Sequence, residues 1–561
     1  MKVFIGLLVV GIIVVVFHPW FLTHEIIGGD WPYYFVEVVR EKVFPPPLWV
    51  FWQNNGLGGI DPIRGLHAFE SFVAVVGVQW FGLPWSVVYK TGWFGLFILL
   101  SFISPIVLAR TIFPRLWLSE TVVLSGLLYT TNTYILMIVG GGQMGVALAY
   151  SMAPLVLASF IKITYSSSVK NLAIAGMILG FQIMIDARIA YVTMVGVSMV
   201  VVISLVSYFV NKKVRFFQTA LLSLLCFGVA VGIAALINAF WIVPMILLRY
   251  DPLSSSPDAL SSITSLKFFS FADFSHALSL LHPNWPENIF GKIYFLQPEF
   301  LVLTVLAFAS FLRIGQKAIS NKLNTRLMFT VSCPFFVSLA LVGAFLAKGV
   351  NPPFGEVYGW LFEHVPGFVM FRDPTKWYVL IAISYSVLIP FTLNQLAELR
   401  IRGKTLLIIL FMLFWLFTIR QAVLGKLGGT FVRRSVPGEY VVWRDMIVRD
   451  TSFSRSLWVP RQSRFTFASS VHPAMEAMPL FQATSSASLI DQLHSPSLSS
   501  KLTGLSIRYV IVPSDPLGEI FIDDRRFSDE ERQIFVDGLD RIPWLQKLPF
   551  KMLTVYEVTS Y

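Results

Sequence analysis

Five short stretches carry charged or titratable side chains in settings where they can do chemistry. "IIGGDWPYYF" (26–35) sets Asp30 behind two glycines, whose backbone freedom lets a carboxylate be held close to a substrate. Such a carboxylate can take the proton from an attacking hydroxyl. It can equally cap a helix opening at Trp31 and Pro32. "NNGLGGIDPIRG" (54–65) supplies Asp61 and Arg64. "MIDARIAY" (184–191) places Asp186 and Arg188 in a very tight turn between two apolar runs, where they either pair and end helices or serve a substrate. "LHPNWPENIFG" (281–291) offers His282, Asn284 and Glu287 among aromatics, and a lone histidine there also suits a structural role. "FRDPTKW" (371–377) gathers Arg372, Asp373 and Lys376. A planar guanidinium fork matches phosphate oxygens, although snorkelling and an ordinary helix cap use the same residue types.

The elements that must position these groups follow from composition. Of 561 residues 55% are hydrophobic and 13% charged, with mean hydropathy +0.69, too few polar side chains to cover a soluble globule of this length. The pattern is that of an integral membrane protein. Cys226 and Cys333 both fall in apolar runs, which leaves no disulfide framework or zinc cluster. The first apolar run lacks a small-residue cleavage site and reads as a retained helix.

Apolar runs occur at 3–20, 86–109, 120–139, 143–161, 172–185, 189–210, 219–248, 300–312, 327–346, 377–396 and 405–419, about eleven crossings at roughly 20 residues each. With a cytoplasmic N-terminus, the inside loops carry Arg110 and Arg115; Lys162 and Lys170; Lys212, Lys213 and Arg215; Arg313, Lys317, Lys322 and Arg326; and Arg400, Arg402 and Lys404. Acids near them are Glu120 and Glu398. Basic inside loops satisfy the positive-inside rule, so the net charge of +11 needs no nucleic acid. A further apolar stretch, 71–83, reads as interfacial, because a crossing there would put the basic loops outside. The stretch 31–43 mixes apolar and charged residues as a second interfacial helix would, ended by "PPP" at 45–47.

The expected fold is therefore an α-helical polytopic membrane protein with interfacial helices in the first outer loop (21–85). A transmembrane domain spans 1–423, and a small α/β extracytoplasmic domain spans 424–561. In the latter, "LSIRYVIVP" and "KMLTVYEV" read as strands, and Ser528 with Glu531 reads as a capping box.

These motifs, together with "GLGGIDP" (56–62) and "TTNTYILMIVGGGQMGVALAYSMAPL" (130–155), resemble the polytopic glycosyltransferases of the C superfamily. Within it they are most similar to arabinofuranosyltransferase-like and related bacterial proteins that glycosylate cell-surface polymers. The resemblance implies an inner (plasma) membrane enzyme taking a sugar from a polyprenyl-phosphate donor to a glycan, lipid or protein acceptor outside the cytoplasm. It implies an inverting displacement with Asp30 as base. Cations would meet the leaving phosphate: Arg372 first, Arg188 and Lys376 next, and Arg64 and His282 after them. No acid-x-acid pair stands beside Asp30, so no metal or other cofactor is expected, although Asp186 is a possible second acid. The competing readings are a transporter or lipid flippase, and a non-catalytic glycan-binding scaffold. A transporter would line its spans with ionisable groups, whereas here the spans are almost free of them.

Overall fold

The computed structural model describes residues 2–23, 25–113, 121–210, 216–250, 262–282, 298–312, 323–399, 404–495, 497–514 and 528–559. Asn284, Glu287, Arg115, Glu120, Lys212, Lys213, Arg215, Arg313, Lys317, Lys322, Arg400 and Arg402 lie outside the described residues. The chain divides into two compact units, one of Met1–Leu22 with Lys90–Phe431, the other of Thr23–Tyr89 with Val432–Tyr561.

In the first unit every one of the eleven apolar runs is helical where it is described. Among the described residues four helices are long and apolar enough to cross a membrane: Phe4–Leu22, Trp85–Ile112, Met144–Thr164 and Pro374–Leu396. The expected single crossings at 120–139 and 219–248 are each a broken pair instead. Val122–Thr131 and Thr133–Gly140 bend by 41°, and Leu224–Ile237 and Ala239–Leu247 bend by 83°. An asparagine makes each break because its amide replaces the backbone partners that the helix gives up. Asn132 Nδ2 donates to the carbonyls of Leu128 and Tyr129 at 3.1 and 3.0 Å while its Oδ1 accepts from Ile135 N at 3.1 Å. Asn238 Nδ2 reaches Gly180 and Ala234 carbonyls, both at 2.9 Å. Helices Ala187–Val210 and Leu323–Ala347 run 24 and 25 residues, and Val169–Ile185 runs 17. Close packing uses small residues in the manner of membrane helix pairs. A Cβ on Gly176 would stand 2.6 Å from Ile233 Cβ and 2.7 Å from the Ala230 carbonyl.

The second unit is built on a five-stranded sheet. Its spatial order is Ala474–Glu476, Arg455–Trp458, Ile507–Val512, Thr554–Val558, Leu545–Lys547. The first three strands are mutually parallel and the last two join antiparallel. Both strands expected from "LSIRYVIVP" and "KMLTVYEV" are present, as adjacent partners. Alternation along them feeds two cores, as period-two side chains must. Ile507, Val510 and Val512 pack with Leu489, Leu502 and Phe535. Tyr509, Ile511 and Val555 pack with Tyr440 and Trp443, and also with Ile27 and Phe35 of the first loop. Those two residues tie segment 23–89 into the same core as the tail.

Burial of Phe35 explains a difference from expectation. The stretch 31–43 is not one interfacial helix: residues 32–35 are not helical, and the helix is only Val36–Arg40, with Phe35 extended at its N-cap and no side-chain cap. The 71–83 stretch is helix Ala68–Ala74 running into a π-helical turn Val75–Trp80, shorter than a crossing needs. Ser528 caps Asp529–Asp540 through Glu531 N at 3.0 Å, while the Glu531 carboxylate takes the Ser486 hydroxyl.

Candidate functional site

Asp30 sits exposed at the tip of a four-residue turn, closed by Trp31 N donating to the Gly28 carbonyl at 3.2 Å. Gly29 precedes it at φ 61°, a left-handed conformation that glycine adopts without strain. The turn is gripped from three sides. The Tyr89 hydroxyl accepts from Ile26 N and donates to Glu25, both at 3.0 Å. The Trp31 ring is buried against that of Tyr89. Arg464 donates to the carbonyls flanking Asp30, those of Gly29 (2.8 Å) and Trp31 (3.4 Å). Asp30 therefore does not cap the helix at Val36. It is a carboxylate on a turn whose backbone is fixed by neighbours, the arrangement that lets a reacting group keep its position.

Asp186, Arg188, His282, Arg372 and Lys376 belong to the first unit, and four of them gather in one polar cluster. Asp186 lies between helices Val169–Ile185 and Ala187–Val210 and accepts from the backbone N–H groups of Arg188 (2.9 Å) and Ile189 (3.2 Å). It also takes a two-pronged contact from the Arg188 guanidinium at 3.2 and 2.7 Å. Asp373 caps the 3₁₀ turn Pro374–Trp377, accepting from Thr375 N at 3.0 Å and Thr375 Oγ1 at 2.6 Å. Lys376, almost fully buried, gives Nζ to Asp373 at 2.7 Å and to Gln143 Oε1 at 3.1 Å. Burial opposes ionisation of Asp373, yet the Lys376 ammonium and the Thr375 donors hold its carboxyl down at about 2. The pairs feel one another: Lys376 acts on Asp186, and Asp373 on Arg188.

His282 joins them from segment 278–282, which is held by buried hydroxyls. Tyr385 and Tyr378 donate to the carbonyls of Leu278 and Leu281, and Thr133 Oγ1 donates to Leu280 O at 2.7 Å and accepts from His282 N at 2.9 Å. The imidazole lies 5.6 Å from the Tyr134 ring and 5.3 Å from that of Tyr378. Burial pushes its pKa down to about 4, with Asp373 opposing and Lys376 reinforcing the shift. The ring is therefore neutral at pH 7 and offers hydrogen bonds, not charge. Both imidazole nitrogens and the Tyr134 hydroxyl are buried with no hydrogen-bond partner among the described residues, so a ligand oxygen or a water would find three groups there.

Charge bookkeeping among the candidate cations of this unit singles out one. Arg188 is matched by Asp186 and Lys376 by Asp373. Arg372, half-buried one residue before Asp373, makes no ion pair among the described residues and lies 5.7 Å from the Phe269 ring. Arg64 belongs to the second unit, where its guanidinium stacks 3.7 Å over Trp52. Asp61 is spent on capping, accepting from Ile63 N at 3.2 Å.

Three contributors carried no sequence signal for their roles. Gln143 and Tyr134 stand inside the quoted 130–155 motif, where "GGGQ" marks a turn but not a contact with a lysine 233 positions later. Nothing local distinguishes Arg464.

No protein-family model matches the chain, and no curated protein matches it. Among solved structures it is similar to arabinofuranosyltransferase AftD from Mycobacteria, at TM-score 0.61 and 14% identity. The chain shares its fold with a membrane glycosyltransferase. The alignment covers 100% of this chain and 42% of AftD. Its apolar helices and its small sheet domain are those of a membrane protein with that fold.

Proposed function

We propose that this protein is a membrane glycosyltransferase that moves a sugar from a polyprenyl-phosphate donor to an acceptor on the extracytoplasmic side of the inner membrane. The observation that carries the reading is a fold shared with an arabinofuranosyltransferase over the whole chain. Asp30 is the general base. It takes the acceptor hydroxyl's proton as that oxygen attacks the anomeric carbon, and the bond from that carbon to the lipid phosphate breaks with inversion. Arg372 is the cation for the leaving phosphate, since it makes no ion pair among the described residues. Arg188 and Lys376 hold the cluster's shape through Asp186 and Asp373. His282 and Tyr134 supply neutral hydrogen bonds to the same group. The reading needs no metal.

Transfer from a polyprenyl-phosphate sugar in detergent or proteoliposomes tests it. Asp30→Asn lowers kcat by about 10²–10⁴-fold with little change in melting temperature, because the side chain is exposed. Arg372→Gln weakens donor use more than acceptor use. Undiminished transfer by Asp30→Asn removes the base assignment, and transfer that stops on chelation and returns with a divalent cation removes the metal-free one. A transporter or flippase draws support from the two broken helices. Donor-lipid translocation without transfer in proteoliposomes would establish it instead.

A further inference from the structure

The second unit contains a cavity of about 330 Å³ walled by the first loop and by Thr466 and Ala468 of the tail. That is the small end of the range for ligand sites. Its lining combines aromatic faces, among them Tyr33, Phe51 and Trp52, with four charged groups: Lys42, Asp61, Arg64 and Glu70.

The charges balance and are mostly committed. Lys42 Nζ meets Glu70 Oε1 at 2.9 Å, with the two side chains only 10% and 14% exposed. The same ammonium stands 4.4 Å from the Tyr34 ring. The Tyr34 phenol is coupled to Glu70 by a hydrogen bond, and burial with that carboxylate keeps it neutral. Asp61 is occupied by its cap. Arg64 lies over Trp52, and its Nε is buried without a hydrogen-bond partner among the described residues. A nearly buried ion pair contributes little net stability against an apolar replacement, and an unmatched guanidinium N–H costs free energy. Both features are unexplained by folding alone.

The wall that carries Trp52 is also fixed in an unfavourable backbone. Asn54 and Asn55 follow it at φ 51° and 56°, with Gly56 and Gly58 also positive. Asn55 holds this loop to the tail through both its amide atoms, Nδ2 to Glu476 O at 2.8 Å and Oδ1 from Glu476 N at 2.7 Å. Backbone strain of this kind persists where the surroundings over-determine it, and it clusters at ligand sites.

From these observations we infer that the cavity binds a neutral saccharide. The Arg64–Trp52 stack together with the Tyr33 and Phe51 rings gives apolar surface against which the C–H face of a sugar ring packs. The Arg64 fork and the Glu70 carboxylate present the donors and acceptors that vicinal hydroxyls need. A phosphate would find no surplus positive charge, because two cations face two carboxylates. The inference requires neither Asp30 nor a donor lipid, so it stands apart from the transfer reading.

Binding to the full chain in detergent is measured by saturation-transfer NMR and calorimetry. The probes are a linear arabinofuranose hexasaccharide, maltohexaose and inorganic phosphate. At least one hexasaccharide binds the wild type, phosphate neither binds nor competes, and Trp52→Ala weakens binding about tenfold or more. Arg64→Lys, which keeps the charge and loses the fork, weakens it too, and serves if Trp52→Ala does not fold. Trp80→Ala, at a site 74% exposed, leaves binding unchanged. Asp30→Asn retains saccharide binding, so a failure of transfer and a failure of this site are told apart. No hexasaccharide binding, phosphate displacing the sugar, or binding indifferent to both Trp52→Ala and Arg64→Lys overturns the inference.

Discussion

Replacing Lys376 by methionine removes the ammonium while keeping most of the side-chain volume, so little cavity forms. What remains is the Asp373 carboxylate, 23% exposed, without its 2.7 Å partner, and Gln143 Oε1 without a donor. Breaking a buried pair from one side costs about 3–5 kcal/mol. Asp373 keeps both Thr375 contacts, which places the loss near the lower end, about 3 kcal/mol, with about 1 kcal/mol more for the glutamine oxygen. Adding Asp373→Asn removes the stranded charge and restores about 2 kcal/mol or more, a coupling measurable in a double-mutant cycle. The assay is reversible SDS or denaturant unfolding of purified protein.

The pH dependence separates charge from packing. In the wild type, Asp373 titrates at about 2, below its unfolded value near 3.9. Its stabilisation is complete above about pH 4 and is lost as pH falls toward 2. In Lys376→Met burial acts on the carboxylate without its main counter-charge, which moves its folded pKa up toward the unfolded value, so the wild type's loss of stability between about pH 4 and 2 becomes smaller. The reasoning is refuted if Lys376→Met unfolds within about 0.5 kcal/mol of wild type, or if the double variant is no more stable than the single one.

His282 titrates at about 4 when folded, against roughly 6.5 unfolded. The neutral ring is favoured in the fold, so its contribution is complete above about pH 6.5 and is lost as pH falls toward 4, up to about 3 kcal/mol. His282→Phe flattens that limb of the stability profile, and equal slopes in the two proteins would count against the burial argument. Gly176→Ala forces a methyl against the Ala230 carbonyl and Ile233, lowering stability by about 1–3 kcal/mol. Gly228→Ala, with nothing within 4 Å of the added carbon, is neutral or slightly stabilising. Unfolding curves that do not distinguish the two variants would remove the tight-packing argument.

The residues that act locally were legible in the chain. Apolar run length marked the helices, because a bilayer imposes a minimum span on each segment by itself. The apolar, β-branched run "LSIRYVIVP" marked a strand, and Ser528 marked a helix start because its hydroxyl needs only the N–H three residues on. Asp186 with Arg188 and Asp373 with Lys376 were visible as neighbours in sequence. Their spacing also permitted the pairing that the structure shows.

Long-range partnership was not legible. Whether Lys376 serves a phosphate or an internal acid depends on Gln143 and Asp373 reaching its buried ammonium, and no periodicity encodes a contact across 233 positions. Phe35 reads as part of an interfacial helix, yet together with Ile27 it completes a core with Tyr440, Trp443 and Tyr509. That burial draws out the chain before Val36 and shortens the expected helix. Asp30 looked like a helix cap or a base because its own neighbours permit both. Only the fold supplies Tyr89 and Arg464 to hold the turn, and only the fold moves the helix start five residues beyond it. The physical reason is the same in each case. Hydropathy and capping are satisfied within one turn of the chain, whereas the partner of a buried charge is chosen by packing among segments distant in sequence.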